Sequence, residues 1–261
     1  MPVDPYRSLE LAAPRQEALC RAIESLSEAQ WQTPSNCAGW AVADLVAHVT
    51  RNGESVLLAT RRALSGDSTP AFGPTMRPRE EALRASGAQA CAALQRTEFA
   101  ELRTLVGDLK PNQLELTFQH PMGPRPVAWY CTARLSEVAF HRWDLGRSLG
   151  HDEPLDGEAA AYLLDYLLDS SQPIANDRRA ERTADAFSVV ADTRGWVVTV
   201  GPAGSRVTAS GSEGAARRIE AAPGWLALAL YGRTRVDRPQ FSVAGPADTA
   251  DAFAAVFGQP G

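Results

Sequence analysis

The stretch LSEVAFHRWDL, residues 135–145, decides how the first half of the chain folds. Leu135, Val138, Ala139 and Leu145 recur at the spacing of one helix face. Glu137 and His141 stand one turn apart beside that apolar stripe, and side chains four residues apart point the same way. A carboxylate turned toward a packed face is costly unless something pairs with it. The stretch therefore poses both the fold and the chemistry.

Working outward, the helical pattern runs over residues 126–149, with Pro126 at its start and Gly150 just past its end. Three further amphipathic helices are expected upstream: residues 4–27 with Pro14 inside, residues 41–65 with Gly53 in the middle, and a long one over residues 78–109. LELTFQH, residues 114–120, reads as a short extended piece. Four long helices, each with an apolar face, form a four-helix bundle. Residues 157–172 read as one more helix. Beyond Pro173 the period changes: residues 186–192, 195–201 and 205–211 alternate like strands. Residues 214–232 read as mostly helical, 240–245 as a further strand and 248–258 as a closing helix. The division expected is a bundle over residues 1–173 and a small α+β unit over residues 174–261.

The 261 residues allow one large domain or two smaller ones. A net charge of −5 argues against a uniformly basic nucleic-acid-binding surface. No apolar run is long enough to span a bilayer, and MPVDPYRSLELAAPRQ lacks the basic-then-apolar start of a signal peptide. The expected location is the cytoplasm. Cys20, Cys37, Cys91 and Cys131 form no CxxC pair and are expected reduced. There is no GxSxG, P-loop, GxGxxG before a helix or HExxH, which weighs against common hydrolase, nucleotide-binding and zinc-protease readings.

The chain has four histidines, His48, His120, His141 and His151. His48 and His141 fall in expected bundle helices. If those helices meet, His48, Glu137 and His141 supply two imidazoles and a carboxylate, a three-ligand set for a divalent metal with positions left open. Spacing alone leaves the other reading open: ordinary half-buried histidines, with Glu137 paired to Arg134 or Arg142. Asp44 and Asp144 each read either as a structural carboxylate or as a hydrogen-bond partner of a ligand histidine. Trp40 and Trp143 read as pocket lining or core. His120 and His151 are expected to be solvated, and Cys37 is a weak candidate nucleophile.

NCAGWAVADLVAHVT and SEVAFHRWDLGRSLG together resemble the mycothiol-dependent maleylpyruvate isomerase family. Gly39-Trp40, Asp44-Leu45 and His48 match its first segment; Glu137, His141, Trp143 and Asp144 match its second. Residues 8–258 share the likeness. It implies a DinB-like four-helix bundle followed by a small sterol-carrier-like α+β domain, with the metal ligands at His48, Glu137 and His141. Ala41 stands where the family has a small hydroxylated residue to cap the helix, a loss of roughly 1 kcal/mol.

The resemblance also implies thiol chemistry. The cofactors would be a divalent metal, zinc being the expected ion, and mycothiol as thiol cosubstrate, with Trp40, Trp143 and Arg233 binding. Metal coordination favours the thiolate, the nucleophile. Arg233 of the C-terminal unit matches an arginine implicated in the family's activity, with Arg235 its near neighbour. The partners would be an electrophilic small molecule and a low-molecular-weight thiol, with no nucleic acid or membrane; monomer and homodimer both stay open. The reaction would be S-transfer or cis-trans isomerisation of a maleylpyruvate-like substrate. Two rivals stand beside it: a metal-dependent hydrolase on the same bundle, and a non-catalytic ligand-binding module with a structural metal.

Overall fold

A computed structural model of the protein describes residues 4–73, 76–121, 123–168, 185–201, 204–210 and 214–258. The chain forms two compact units that part between Glu153 and Pro154. The boundary expected near residue 173 lies outside the described residues.

In the N-terminal unit the long helices are α1 (Pro5–Glu24), α3 (Val42–Ser65), α5 (Ala88–Gly107) and α7 (Val127–Ser148). Single turns α2 (Glu28–Trp31) and α6 (Pro111–Leu114) sit in the connections. Around the bundle, α1 packs on α5 and α7, and α3 packs on the same two. The helices carrying His48 and His141 are therefore neighbours. Asp4 caps α1 by accepting from the amides of Tyr6 and Arg7. As expected, Ala41 gives α3 no side-chain cap; Asp44 instead accepts the Ala41 amide at 2.9 Å. The core between α1, α3 and α7 is apolar at Leu19, Ile23, Leu45, Val49, Val138 and Leu145.

The helix expected over residues 78–109 is two helices. α4 (Met76–Ser86) ends at Gly87, whose φ of +84° only glycine adopts cheaply, and α5 starts after it. The break lets α4 pack on both α3 and α5. Within LELTFQH only β1 (Thr117–Phe118) is a strand, paired with β2 (Arg125–Pro126), which leads into α7.

The C-terminal unit is a five-stranded sheet with helices, the α+β unit expected. β3 (Asp185–Ala191), β4 (Arg194–Gly201), β5 (Gly204–Ser210), β6 (Arg217–Glu220) and β7 (Ser242–Ala244) lie in the order β5-β4-β3-β6-β7. Only β3 and β6 run parallel, with Val189 opposite Ile219. Residues 214–232, read as helical, are thus a strand followed by α9 (Pro223–Leu230). Ala, Arg and Glu favour helix locally, but pairing between β3 and β7 outweighs that preference. α8 (Gly157–Leu167) packs on α9 and so belongs to this unit. Gly224 permits the approach: a Cβ there would stand 2.2 Å from the Leu155 carbonyl oxygen. Phe187 of the sheet meets Phe253 and Phe257 of α10 (Thr249–Phe257) at 5.3 and 5.9 Å. No helix among the described residues is long and apolar enough to cross a membrane.

Candidate metal centre

α3 and α7 bring His48, Glu137 and His141 together. One ligand atom from each lies within 4.8 Å of the other two. Glu137 Oε2 is 3.3 Å from His141 Nε2 and 3.6 Å from His48 Nε2, and the two imidazole centroids are 5.2 Å apart. Ligand atoms around a tetrahedral zinc ion stand ~3.3 Å apart, given metal–ligand bonds of about 2.0 Å. The spacing fits such an ion. Arg134 does not pair with Glu137 in a hydrogen bond; it turns inward to the Val49 carbonyl and the Gln16 side chain.

The other face of each imidazole explains the arrangement. His141 Nδ1 lies 3.0 Å from Asp144 Oδ2. His48 Nδ1 approaches Glu80 Oε1 of α4 at 3.4 Å. With its Nδ1 hydrogen-bonded to Asp144, His141 can offer Nε2 to a metal, and Glu80 sets a second carboxylate near His48 Nδ1. Glu137 Oε2 is buried and makes no hydrogen bond. Three electron-pair donors facing one point repel one another unless a positive charge sits among them.

Burial alone would favour a neutral His141, but the Asp144 hydrogen bond, Cys37 and the facing Glu137 carboxylate outweigh it and hold its pKa well above the ordinary histidine value. Burial raises Glu137, yet the facing imidazoles of His141 and His48 more than offset that and keep it well below the usual carboxylate range. Without a metal, a proton supplies the positive charge.

Asp144 is fully buried and tied on every side. Asn36 Nδ2 donates to its Oδ1 at 3.1 Å, and Cys37 Sγ lies 3.5 Å from Oδ2. Cys37, Asp144 and His141 also stand close enough to share an ion. The 3.0 Å contact between Asp144 and Nδ1 is a hydrogen bond, however, and makes this trio a clamp on the ligand histidine.

The remaining sequence candidates separate. Trp40 packs its ring against His48, centroids 4.9 Å apart. It lines a cavity of about 450 Å³ that His48, Glu80 and Arg84 also border. Trp143 is buried in the bundle, with the Arg147 guanidinium 5.8 Å over its ring. His151 is exposed and its amide closes the end of α7 on the Gly146 carbonyl. His120, expected to be solvated, sits half-buried among Phe72, Trp129 and Tyr130. Burial, with Arg125 adding to it, lowers its pKa. Cys131 is buried against its own helix at the Val127 carbonyl. In the C-terminal unit, Arg235 is ion-paired with Asp237 and Asp251, while the Arg233 guanidinium lies 5.4 Å over the Tyr231 ring.

Sequence reasoning missed Glu80. Its helix was read as part of one continuous helix with α5, and no spacing within a helix reports a neighbour across the fold.

Comparison with known proteins gives the chain its family and its fold relatives. Residues 12–146 match the family model described as the mycothiol maleylpyruvate isomerase N-terminal domain. An uncharacterised protein from two strains of Mycobacterium tuberculosis is 30% identical over 145 residues, spanning 56% of this chain and 69% of the relative. The crystal structure of the mycothiol-dependent maleylpyruvate isomerase matches with a TM-score of 0.66 and 16% identity, covering 93% of this chain and 96% of that one. A histidine-to-alanine variant of that enzyme matches with the same score at 15% identity. At such identity the likeness is one of fold.

Proposed function

The chain belongs to the mycothiol maleylpyruvate isomerase N-terminal domain family, and from that premise we propose that it is a metal- and mycothiol-dependent enzyme acting on an electrophilic small molecule. One observation carries the reading: two Nε2 atoms and Glu137 Oε2 face one point while carboxylates hold the opposite Nδ1 atoms. His48, Glu137 and His141 would hold the ion, zinc in our reading. When bound, a divalent metal supplies the positive charge that favours a thiolate over a thiol at neutral pH.

This chain's own residues do the rest. Asp144 orients His141 through Nδ1 and so keeps its Nε2 available, and Glu80 places a carboxylate beside His48 Nδ1. Three protein ligands would leave a bound ion open to an exogenous group, as catalytic sites do and closed structural sites do not. Trp40 covers His48 on the cavity side. Arg233 is proposed to bind a carboxylate of the substrate through its planar fork. The nucleophilic sulfur is external, because Cys37 is engaged with Asp144.

Two outcomes share the first step. A thiol that adds to a conjugated double bond and leaves again gives geometric isomerisation and is returned. A thiol that stays attached gives S-transfer and is consumed. The names of the structural relatives support isomerisation.

Elemental analysis of protein purified without a metal-affinity tag tests the reading, with His141→Ala beside it. The expected result is about one divalent ion per chain, lost in the variant, and turnover that requires both ion and thiol. A native protein that takes up no metal even when zinc is supplied would sink the proposal.

A further inference from the structure

We propose that the cavity beside His48 binds the polyhydroxylated, sugar part of the thiol cosubstrate. The inference rests on the thiol-dependent reading above and extends it to the residues that recognise the cosubstrate.

The cavity, about 450 Å³, has the volume of a small-molecule site. His48 forms part of its wall, so a group seated in it adjoins one member of the ligand set. Five of its lining side chains are charged. Asp44, Glu80 and Glu81 contribute three carboxylates, and Arg77 and Arg84 two guanidiniums. The charges nearly cancel, so the cavity has no strong preference for an anion or a cation. It offers instead a set of fixed acceptors beside fixed donors. A sugar hydroxyl donates once and accepts twice and is matched by such a pairing. Trp40 supplies the one broad apolar wall, against which the C–H face of a sugar ring packs.

The division of labour among the charges sharpens the point. Arg84 is committed to Asp44 at 2.5 Å, and Glu80 to His48 Nδ1. Arg77 and Glu81 are exposed on α4, one turn apart. Neither has an ion pair or side-chain hydrogen bond among the described residues. One donor group and one acceptor group are thus left to a ligand, on a helix that also holds the His48 partner.

The test uses the full-length protein and three probes: mycothiol, its thiol-free glycoside fragment, and N-acetylcysteine as a sugar-free thiol. Saturation-transfer NMR and calorimetry follow fragment binding with metal present and with metal chelated. The fragment is expected to bind in both states, since its contacts are to protein. Arg77→Ala and Glu81→Ala are each expected to weaken it roughly tenfold, the worth of one charged hydrogen bond. In turnover, both substitutions should raise the KM for mycothiol and leave that for N-acetylcysteine where it was. Both side chains are exposed, so folding is not at stake, and unchanged metal content confirms it. Fragment binding that ignores both substitutions overturns the inference. So does an equal kcat/KM for mycothiol and N-acetylcysteine. Thiol-dependent turnover without fragment binding overturns this inference alone; loss of metal and thiol dependence overturns the proposed function, and the fragment titration is read independently of it.

Discussion

Helix α7 buries charge twice, at Arg134 and at Glu137, and the two places are built differently. Arg134 is 1% exposed and its donors are used. Nη1 donates to the Val49 carbonyl at 2.9 Å and to Asn52 Oδ1 at 3.3 Å; Nη2 donates to Gln16 Oε1 at 2.7 Å. Gln16 Nε2 passes a hydrogen bond to Gln95, and Gln95 passes one to Thr50. Gly53 makes room: a Cβ there would stand 3.3 Å from both Arg134 Nη2 and Glu98 Oε2. One turn along α7, Glu137 Oε2 faces two imidazoles with no hydrogen bond at all. A network that consumes its donors and acceptors ties four helices together. A cluster that leaves three lone pairs aimed at one point is made for a cation. Buried charge by itself therefore does not mark a site; unspent ligand atoms converging on one point do.

The comparison breaks first at Arg134. Arg134→Met keeps the length of the side chain but strands Gln16 Oε1 in the core. It also removes a guanidinium from beside Glu98. Urea denaturation should show a loss of about 3–5 kcal/mol, while the folded protein still binds its ion. Metal loss with unchanged stability would reverse the assignment of the two clusters. Next in size is Asp144→Asn, which preserves shape but weakens the hold on the His141 Nδ1 proton. Competition with a chelator should show metal affinity reduced about 10–100-fold, with a smaller change in stability than Arg134→Met. Unchanged affinity would reduce Asp144 to a structural carboxylate.

Much of this was legible in the chain, for a physical reason. Glu137 and His141 share a helix, and a four-residue spacing fixes their common direction without any tertiary knowledge. His48 needed one further step, that two amphipathic helices in a bundle become neighbours. Three of the four helices around that step were readable from apolar periodicity; the other, read over residues 78–109, is two helices. Contacts that run between helices left no periodic trace. Glu80 reaches His48 from α4, whose separation from α5 depends on the backbone of the single residue Gly87. The Arg134 layer draws on Gln16, Gln95 and Thr50 from three other helices, and each alone reads as an ordinary polar residue. β6 was misread because its residues favour helix and only its place between β3 and β7 makes it a strand.

A pH-dependent effect sharpens the comparison from the structural side. Glu98 of α5 is 9% exposed and its Oε2 has no hydrogen bond. Burial pushes its carboxyl pKa up to about 8, Glu54 adds to the rise, and Arg134, Arg79 and Arg51 oppose it. In the unfolded chain a glutamate titrates near ~4.3. Between those two values the unfolded chain has released its proton and the folded chain has kept it. The unfolded state then binds fewer protons, so stability falls as pH rises, by up to about 1.4 kcal/mol per unit, and levels off above the folded pKa. Glu98→Gln is neutral throughout and removes this slope. Metal-free parent and variant share the contributions of Glu137 and His141, so the difference between their denaturation profiles isolates Glu98. The two should agree at about pH 4 and diverge toward pH ~8, the variant becoming the more stable. Parallel profiles would mean that Glu98 is ionised beside Arg134. The polar layer would then be an ion pair with Glu98 Oε2 as unspent as Glu137 Oε2, and only the convergence of ligand atoms on one point would separate the layer from the site.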